Sequence, residues 1–388
     1  MIIKVRNLGI VEEARVDLGK DFIILTGENN TGKTYLAYTL YQLLNLDHEK
    51  LPVDKQTSPA LISDSIGNLL KEDLNELFAY DEETGASLFK ETRFEIEVPG
   101  KAAKEKLSPR DFARKYLSAG TYIAPAERSA INIFSKELSL IKNRLFEGLL
   151  KFNGKTNEML DLLRSRVNRY PRPIRDNLEI AEDLANLSKK RSPFHSLAEE
   201  LEQQILKGKI LVSSEGEVKY IPDHAQQVNL EVHLTGSLVK ALSNIVFYLR
   251  HLAGRGDWIV IDEPELNLHP DNQRLIARFF GRLVNEGFKV LISTHSDYIV
   301  REINNLIMLS QDHKKTGRLI RKYGYLKNQC IEPGQVEVLL FRKDETGSPG
   351  IKARTIEVSE TGFEIETIDN VVKDLNESSQ DIYFTLFD

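Results

Sequence analysis

The chain has 388 residues and a formal charge of −6, with 41% hydrophobic and 28% charged residues, a composition ordinary for a globular protein that buries one large core or two smaller ones. The single cysteine, Cys330, excludes an intramolecular disulfide and a cysteine metal cluster, and no apolar run approaches the length of a membrane span. The start Met1-Ile2-Ile3-Lys4-Val5 reads directly as a strand with no signal peptide, so the expected location is the cytoplasm.

In chain order, residues 2–7 and 11–17 are expected to pair as an antiparallel hairpin around Gly9. Residues 21–25 read as a buried strand and 35–44 as a helix. Between them residues 27–34 spell G-x-x-x-x-G-K-T, a loop that cradles phosphate. Gly27 and Gly32 let the backbone curl, so that successive N–H groups along Asn29, Asn30 and Thr31 point inward, and the opening helix adds its positive end. Lys33 would reach the β- and γ-phosphates of a nucleotide, and the Thr34 hydroxyl would ligate Mg²⁺.

Residues 61–78 have apolar side chains at helical spacing, 92–98 alternate as a strand with one exposed face, and 111–117 read as a helix. Residues 121–125 form a short buried strand ending in Ala126-Glu127-Arg128-Ser129, polar residues placed where a parallel sheet holds its ligand. Residues 135–208 read as a mostly helical insertion, too short and too broken by proline for a long coiled-coil arm. Within it Arg164, Arg166, Arg169, Arg172 and Arg175 are open to two readings: a solvated helix face, or a contact for a phosphate backbone or an acidic partner. Strands are expected at 209–212, 218–221 and 228–232. Then Leu234-Thr235-Gly236-Ser237 opens a helix over 238–252, an anion-ready start.

Residues 257–264, DWIVIDEP, form a short apolar strand ending in two acids. Asp262 can hold Mg²⁺ and Glu263 can polarise an attacking water. A helix is expected over 271–285. Residues 288–294 form a third buried strand, and His295 at its polar end is placed to sense a γ-phosphate. Residues 310–330 are locally basic, and from 331 onward thirteen Asp/Glu stand against five Lys/Arg. Strands are expected at 336–341, 351–358 and 362–367, with a short helix at 369–375.

The three strand-end motifs in this order, with WIVIDEPELNLHP at 258–270 and STHS at 293–296, resemble the ABC-type AAA ATPases of the RecF, SMC and OLD-like group, most closely the prokaryotic defence-associated ATPases. The resemblance implies an α/β fold: an ABC-type P-loop ATPase head with an antiparallel β lead-in over 1–134 and 209–310, the helical insertion at 135–208, and a small C-terminal α+β module at 311–388. It implies ATP and Mg²⁺ as cofactors, Glu263 and His295 as catalytic residues, and Thr34 and Asp262 at the metal. Thr235, Gly236 and Ser237 stand in place of the LSGG-type loop that caps ATP held by a second subunit. The loop reads LTGS, so either Thr235 or Ser237 supplies the contact. No glutamine occupies the Q-loop position, where Glu127 is the candidate substitute.

The implied assembly is a homodimer, or a higher even-numbered oligomer, joined through ATP. Residues 311–388 lack the D-x-D pair of a Toprim nuclease, so the expected effector is a separate protein. Two further readings stay open: a RecF-like DNA-maintenance ATPase that binds duplex through the arginine cluster, and a non-hydrolysing scaffold.

Overall fold

The computed structural model of the protein describes residues 1–53, 58–97, 107–117, 119–131, 170–214, 216–343 and 350–387. Its first strands, β1 (Ile2–Leu8) and β2 (Val11–Asp17), pair antiparallel as the hairpin expected from sequence. β3 (Phe22–Gly27) follows, fully buried, and runs through the phosphate loop into helix α1 (Lys33–Leu44). α2 (Pro59–Glu72) is capped by the Ser58 hydroxyl and leads to the edge strand β4 (Arg93–Glu97). β5 (Thr121–Ala124) comes next, and then the described helices α3 (Arg172–Glu182) and α4 (His195–Leu201).

The second half supplies β6 (Gly208–Val212), β7 (Val218–Pro222), β8 (Leu230–Glu231) and helix α5 (Ser237–His251). β9 (Trp258–Asp262), α6 (Pro270–Asn285), β10 (Lys289–Thr294) and α7 (Asp297–Met308) carry the acidic and histidine motifs. The chain closes with α8 (Thr316–Tyr323), β11 (Val336–Lys343), β12 (Ile351–Ile356) and α9 (Glu366–Phe387).

Nine strands form one sheet in the order β4-β1-β2-β12-β11-β3-β10-β9-β5, while β6, β7 and β8 form a small separate sheet. From β11 to β5 all neighbours are parallel. Strands buried on both faces should read as unbroken Val, Ile and Leu runs, and FIIL, WIVI and VLI do. Their alternate side chains fill two cores. Ile23, Leu25, Val260 and Leu291 meet α1 and α2 on one face. Phe22, Ile24, Ile261 and Ile292 meet α4, α5, α6 and α7 on the other.

The structure corrects four sequence expectations. Residues 311–388 are not a separate module. β11 sits between β3 and β12, with Leu339 opposite Leu25, and β12 pairs with β2, so this segment joins the antiparallel lead-in to the parallel half. The expected strand at 362–367 is only an isolated bridge between Ser359 and Gly362, and the short helix expected at 369–375 is the 22-residue α9. The insertion is also shorter than expected at its C-terminal end, because Leu197, Ala198 and Leu201 of α4 lie in the main core. Most of the rest of 135–208 lies outside the described residues.

The β3–β11 pairing makes Gly27 obligatory. Its φ is +136°, and a Cβ there would stand 2.4 Å from the Phe341 carbonyl oxygen. Gly256 also has a positive φ, +81°, but a Cβ there meets nothing within 4 Å. Gly256→Ala is therefore expected to lower stability by about 1 kcal/mol, whereas Gly27→Ala is expected to lower it several times more. Thermal unfolding of both variants tests this, and equal losses would contradict the strand-crowding account.

Candidate functional site

Parallel register brings the motifs together. Ser293 lies opposite both Leu25 and Asp262, so β3, β10 and β9 end side by side at one edge of the sheet, with Ala124 of β5 opposite Ile261 next to them. The phosphate loop leaves β3 there. Asn30 and Gly32 take positive φ (+59° and +87°), Asn29 and Asn30 are exposed, and the Thr31 hydroxyl donates to the Glu28 carbonyl at 2.8 Å. A Cβ on Gly32 would stand 2.4 Å from Val11, so the hairpin packs directly on the loop.

Lys33 is buried, and its ammonium donates to the carbonyls of Gly27 (2.9 Å) and Glu28 (2.6 Å). Burial lowers its pKa, while the carboxylates of Glu263, Asp262, Glu265 and Glu28 act to raise it. The Thr34 hydroxyl donates to Asp262 at 3.0 Å, and the Ser293 hydroxyl donates to the same carboxylate. Asp262 is 1% exposed. Burial pushes its pKa up to about 6, although both hydroxyls act to lower it.

Glu263 is half-buried and takes a left-handed backbone, φ +47°, which is costly for a residue with a side chain. Two contacts hold it. Its N–H donates to the Ser293 carbonyl (3.1 Å) and hydroxyl (3.0 Å). On the other side Arg128, 1% exposed, donates to the carbonyls of Asp262 (2.7 Å), Glu263 (2.8 Å) and Pro125 (3.2 Å). Sequence reasoning reached Arg128 only as part of a polar strand end. Nothing local says that its guanidinium turns inward to tie the β5 turn to the acidic turn. Glu127, the candidate Q-loop substitute, is exposed beside it, and its charge helps raise the pKa of Asp262.

Glu265 was also missed as a site residue. It is 8% exposed and accepts from the Thr294 hydroxyl (2.9 Å) and the His295 N–H (2.7 Å), with the imidazole Nδ1 at 3.4 Å. It thereby orients the turn carrying His295, whose ring is exposed at the site. Ser296 caps α7 by accepting from the Ile299 N–H, which fixes the far side of the same turn.

The LTGS loop divides between its two candidates. The Thr235 hydroxyl is buried and donates to the Val232 carbonyl at 2.6 Å. Ser237 is exposed at the first turn of α5, with its hydroxyl 3.5 Å from the Asn267 carbonyl, and Gly236 opens onto empty space. Among the described residues no hydrogen bond joins this loop to the phosphate loop. Two members of the arginine cluster are described. Arg172 pairs with Asp176 and donates to Gln42, and Arg175 pairs with Glu76, so both turn onto the head. Arg164, Arg166 and Arg169 lie outside the described residues.

The sequence profile of the AAA ATPase domain family matches residues 89–300, more than half of the chain. The chain belongs to this family. The matched span holds Arg128, Asp262, Glu263, Glu265 and His295, and the phosphate loop precedes it. Two curated relatives are ABC-type ATP-binding proteins. The energy-coupling factor transporter ATP-binding protein EcfA2 of Mycoplasma mobile is 30% identical over 111 residues, covering 27% of this chain and 36% of its own. A putative ABC transporter ATP-binding protein of Listeria monocytogenes is 32% identical over 81 residues, 21% of this chain and 28% of its own. The chain thus spans about a third of the length of these relatives. Among solved structures, the Smc head domain of Pyrococcus furiosus aligns over 97% of this chain and 98% of its own at 11% identity and a TM-score of 0.38. The Thermotoga maritima SMC head domain aligns over 92% and 98% at 10% identity and the same score. No described helix is long and apolar enough to cross a membrane.

Arg128→Met keeps bulk but strips the acidic turn of its donors. It is expected to cut kcat by about a hundredfold, the equivalent of roughly 3 kcal/mol, while nucleotide still binds the intact phosphate loop. Steady-state hydrolysis beside fluorescent-nucleotide binding tests the split, and an unchanged kcat would sink the role. Glu265→Gln weakens one charge-assisted acceptor and is expected to slow hydrolysis by roughly tenfold, with little change in KM.

Proposed function

We propose that this ATPase is a molecular switch whose two copies engage around ATP, separate on hydrolysis, and so control a separate effector protein. The observation that carries this reading is the division of the site. Lys33, Thr34, Asp262, Glu263 and His295 converge on one sheet edge, whereas the exposed Ser237 belongs to a loop that, among the described residues, makes no hydrogen bond to its own phosphate loop. A site complete only when Ser237 of a second copy arrives makes nucleotide the link between heads. Ser237 is the capping residue in this reading, because the Thr235 hydroxyl is already committed to Val232.

Asn29, Asn30, Thr31 and Gly32 would wrap the phosphates, and Lys33 would exchange its carbonyl partners for phosphate oxygens. Glu263 would take the proton of the attacking water, and His295, held by Glu265, would donate to the γ-phosphate. The Thr34 hydroxyl and Asp262 carboxylate, 3.0 Å apart, are hard oxygen donors and would hold Mg²⁺. That ion, when bound, neutralises charge on the phosphates.

The setting we infer is the cytoplasm of a prokaryotic cell, in anti-phage defence or a toxin–antitoxin-type system. The support is the DEPELNLHP and STHS form and the absence of a D-x-D pair in 311–388. The alternative, a DNA-maintenance ATPase, loses support from Arg172 and Arg175, which are paired on the head.

Neither Lys33→Ala nor Ser237→Arg chains are expected to hydrolyse ATP alone. Mixed together they form heterodimers with one intact site, and activity should return. A mixture as inactive as its parts would rule out sharing between copies. Glu263→Gln used as bait with Mg²⁺-ATP in the native host should retain a stoichiometric protein partner. Abundant DNA that is lost with Lys33→Ala would instead favour the DNA-maintenance role. Because Mg²⁺ must displace a proton from Asp262 below its pKa of about 6, Mg²⁺ affinity measured calorimetrically is expected to fall about tenfold per pH unit below that value and to level off above it.

A further inference from the structure

Helix α9 runs for 22 residues without one buried side chain. Seven large apolar side chains between Val371 and Phe387 are 58–74% exposed. Most helical stability in proteins comes from packing an apolar face, and exposed apolar surface of this size marks a contact surface. Its spacing is specific. Ile368, Val372, Leu375, Ser379, Ile382 and Leu386 follow one another by alternate steps of four and three, the seam of a left-handed coiled coil. Ile368 packs partly against the head, so the seam projects beyond it.

The positions bordering the seam, Val371, Asn376, Ser378, Tyr383 and Thr385, carry no charge. The one charged border residue, Asp369, lies 3.8 Å from Arg301 of the head. Glu366, Lys373, Asp374, Glu377 and Asp381 fall on the outer side of the helix, joined in its last turn by Phe384 and Phe387.

We propose that α9 pairs in parallel with α9 of a second copy of this chain, holding two heads side by side without nucleotide. The charge pattern decides the occupant. A basic partner would find its acids on the side away from the apolar seam, and an anionic lipid surface would be repelled by five acids against one lysine. A second α9 meets an uncharged seam while the acidic faces point outward. The heads decide the direction. Both helices leave their heads at Glu366, so parallel pairing keeps the heads adjacent, whereas antiparallel pairing separates them by the helix length, roughly 33 Å. This association is distinct from ATP-driven engagement and raises the local concentration of one head for the other.

The test uses the full chain with Cys330→Ser and no nucleotide, so failure of ATP-driven engagement would leave it unaffected. Sedimentation velocity over a concentration series should show a dimer. Leu375→Asp with Ile382→Asp should yield monomer with unchanged thermal unfolding and nucleotide binding. Ser379→Cys on the seam should form a disulfide between copies under mild oxidation, and Asn370→Cys on the outer side should not. A monomer throughout the series, a dimer that survives the double aspartate variant, or equal cross-linking at both positions would overturn the proposal.

Discussion

Everything at the candidate site depends on the parallel register of β3, β10 and β9. Asp262 and Leu25 flank Ser293, and that alignment turns three separate loops into one surface. A one-residue slip would also send each apolar run to the opposite core, because alternate side chains of these strands fill different faces. The same side-chain packing that stabilises the sheet thus sets the position of the chemistry, with no separate device required.

Around that edge, buried charge is held by dipoles and hydroxyls more than by ion pairs. Arg128 spends its guanidinium on backbone carbonyls, Asp262 accepts from Thr34 and Ser293, and Lys33 rests on the carbonyls of its own loop. Such contacts can be exchanged for phosphate oxygens or for a metal at small cost, whereas a tight buried ion pair resists rearrangement. Glu263 is the point of strain, a left-handed residue held between Ser293 and Arg128. Glu265 performs the matching task for His295, so the two catalytic candidates are each positioned by a neighbour on a different segment.

Local features were legible in the sequence. The phosphate loop, the acidic strand end, the histidine strand end and the initial hairpin could be placed because each is a pattern within a dozen residues. What could not be read was partnership across distance. The alternation in 336–341 announces a strand, but nothing there says that it enters the main sheet beside β3. The Arg128 side chain could point to solvent or to the acidic turn with the same sequence. The sequence pattern ends α9 too early because Ser378 and Ser379 weaken it, and because apolar residues without a core to face give no clue to where a helix stops.

The position of β11 has a consequence for how the protein is made. β3 is finished within the first 27 residues, yet one of its two neighbours is drawn from residues 336–341 and the other from 290–294. The strand that carries the phosphate loop must therefore wait, with both edges bare, for most of the chain to be synthesised. A nascent chain of this design exposes an apolar, unpaired strand for much of translation, and its maturation is dominated by late, long-range closure.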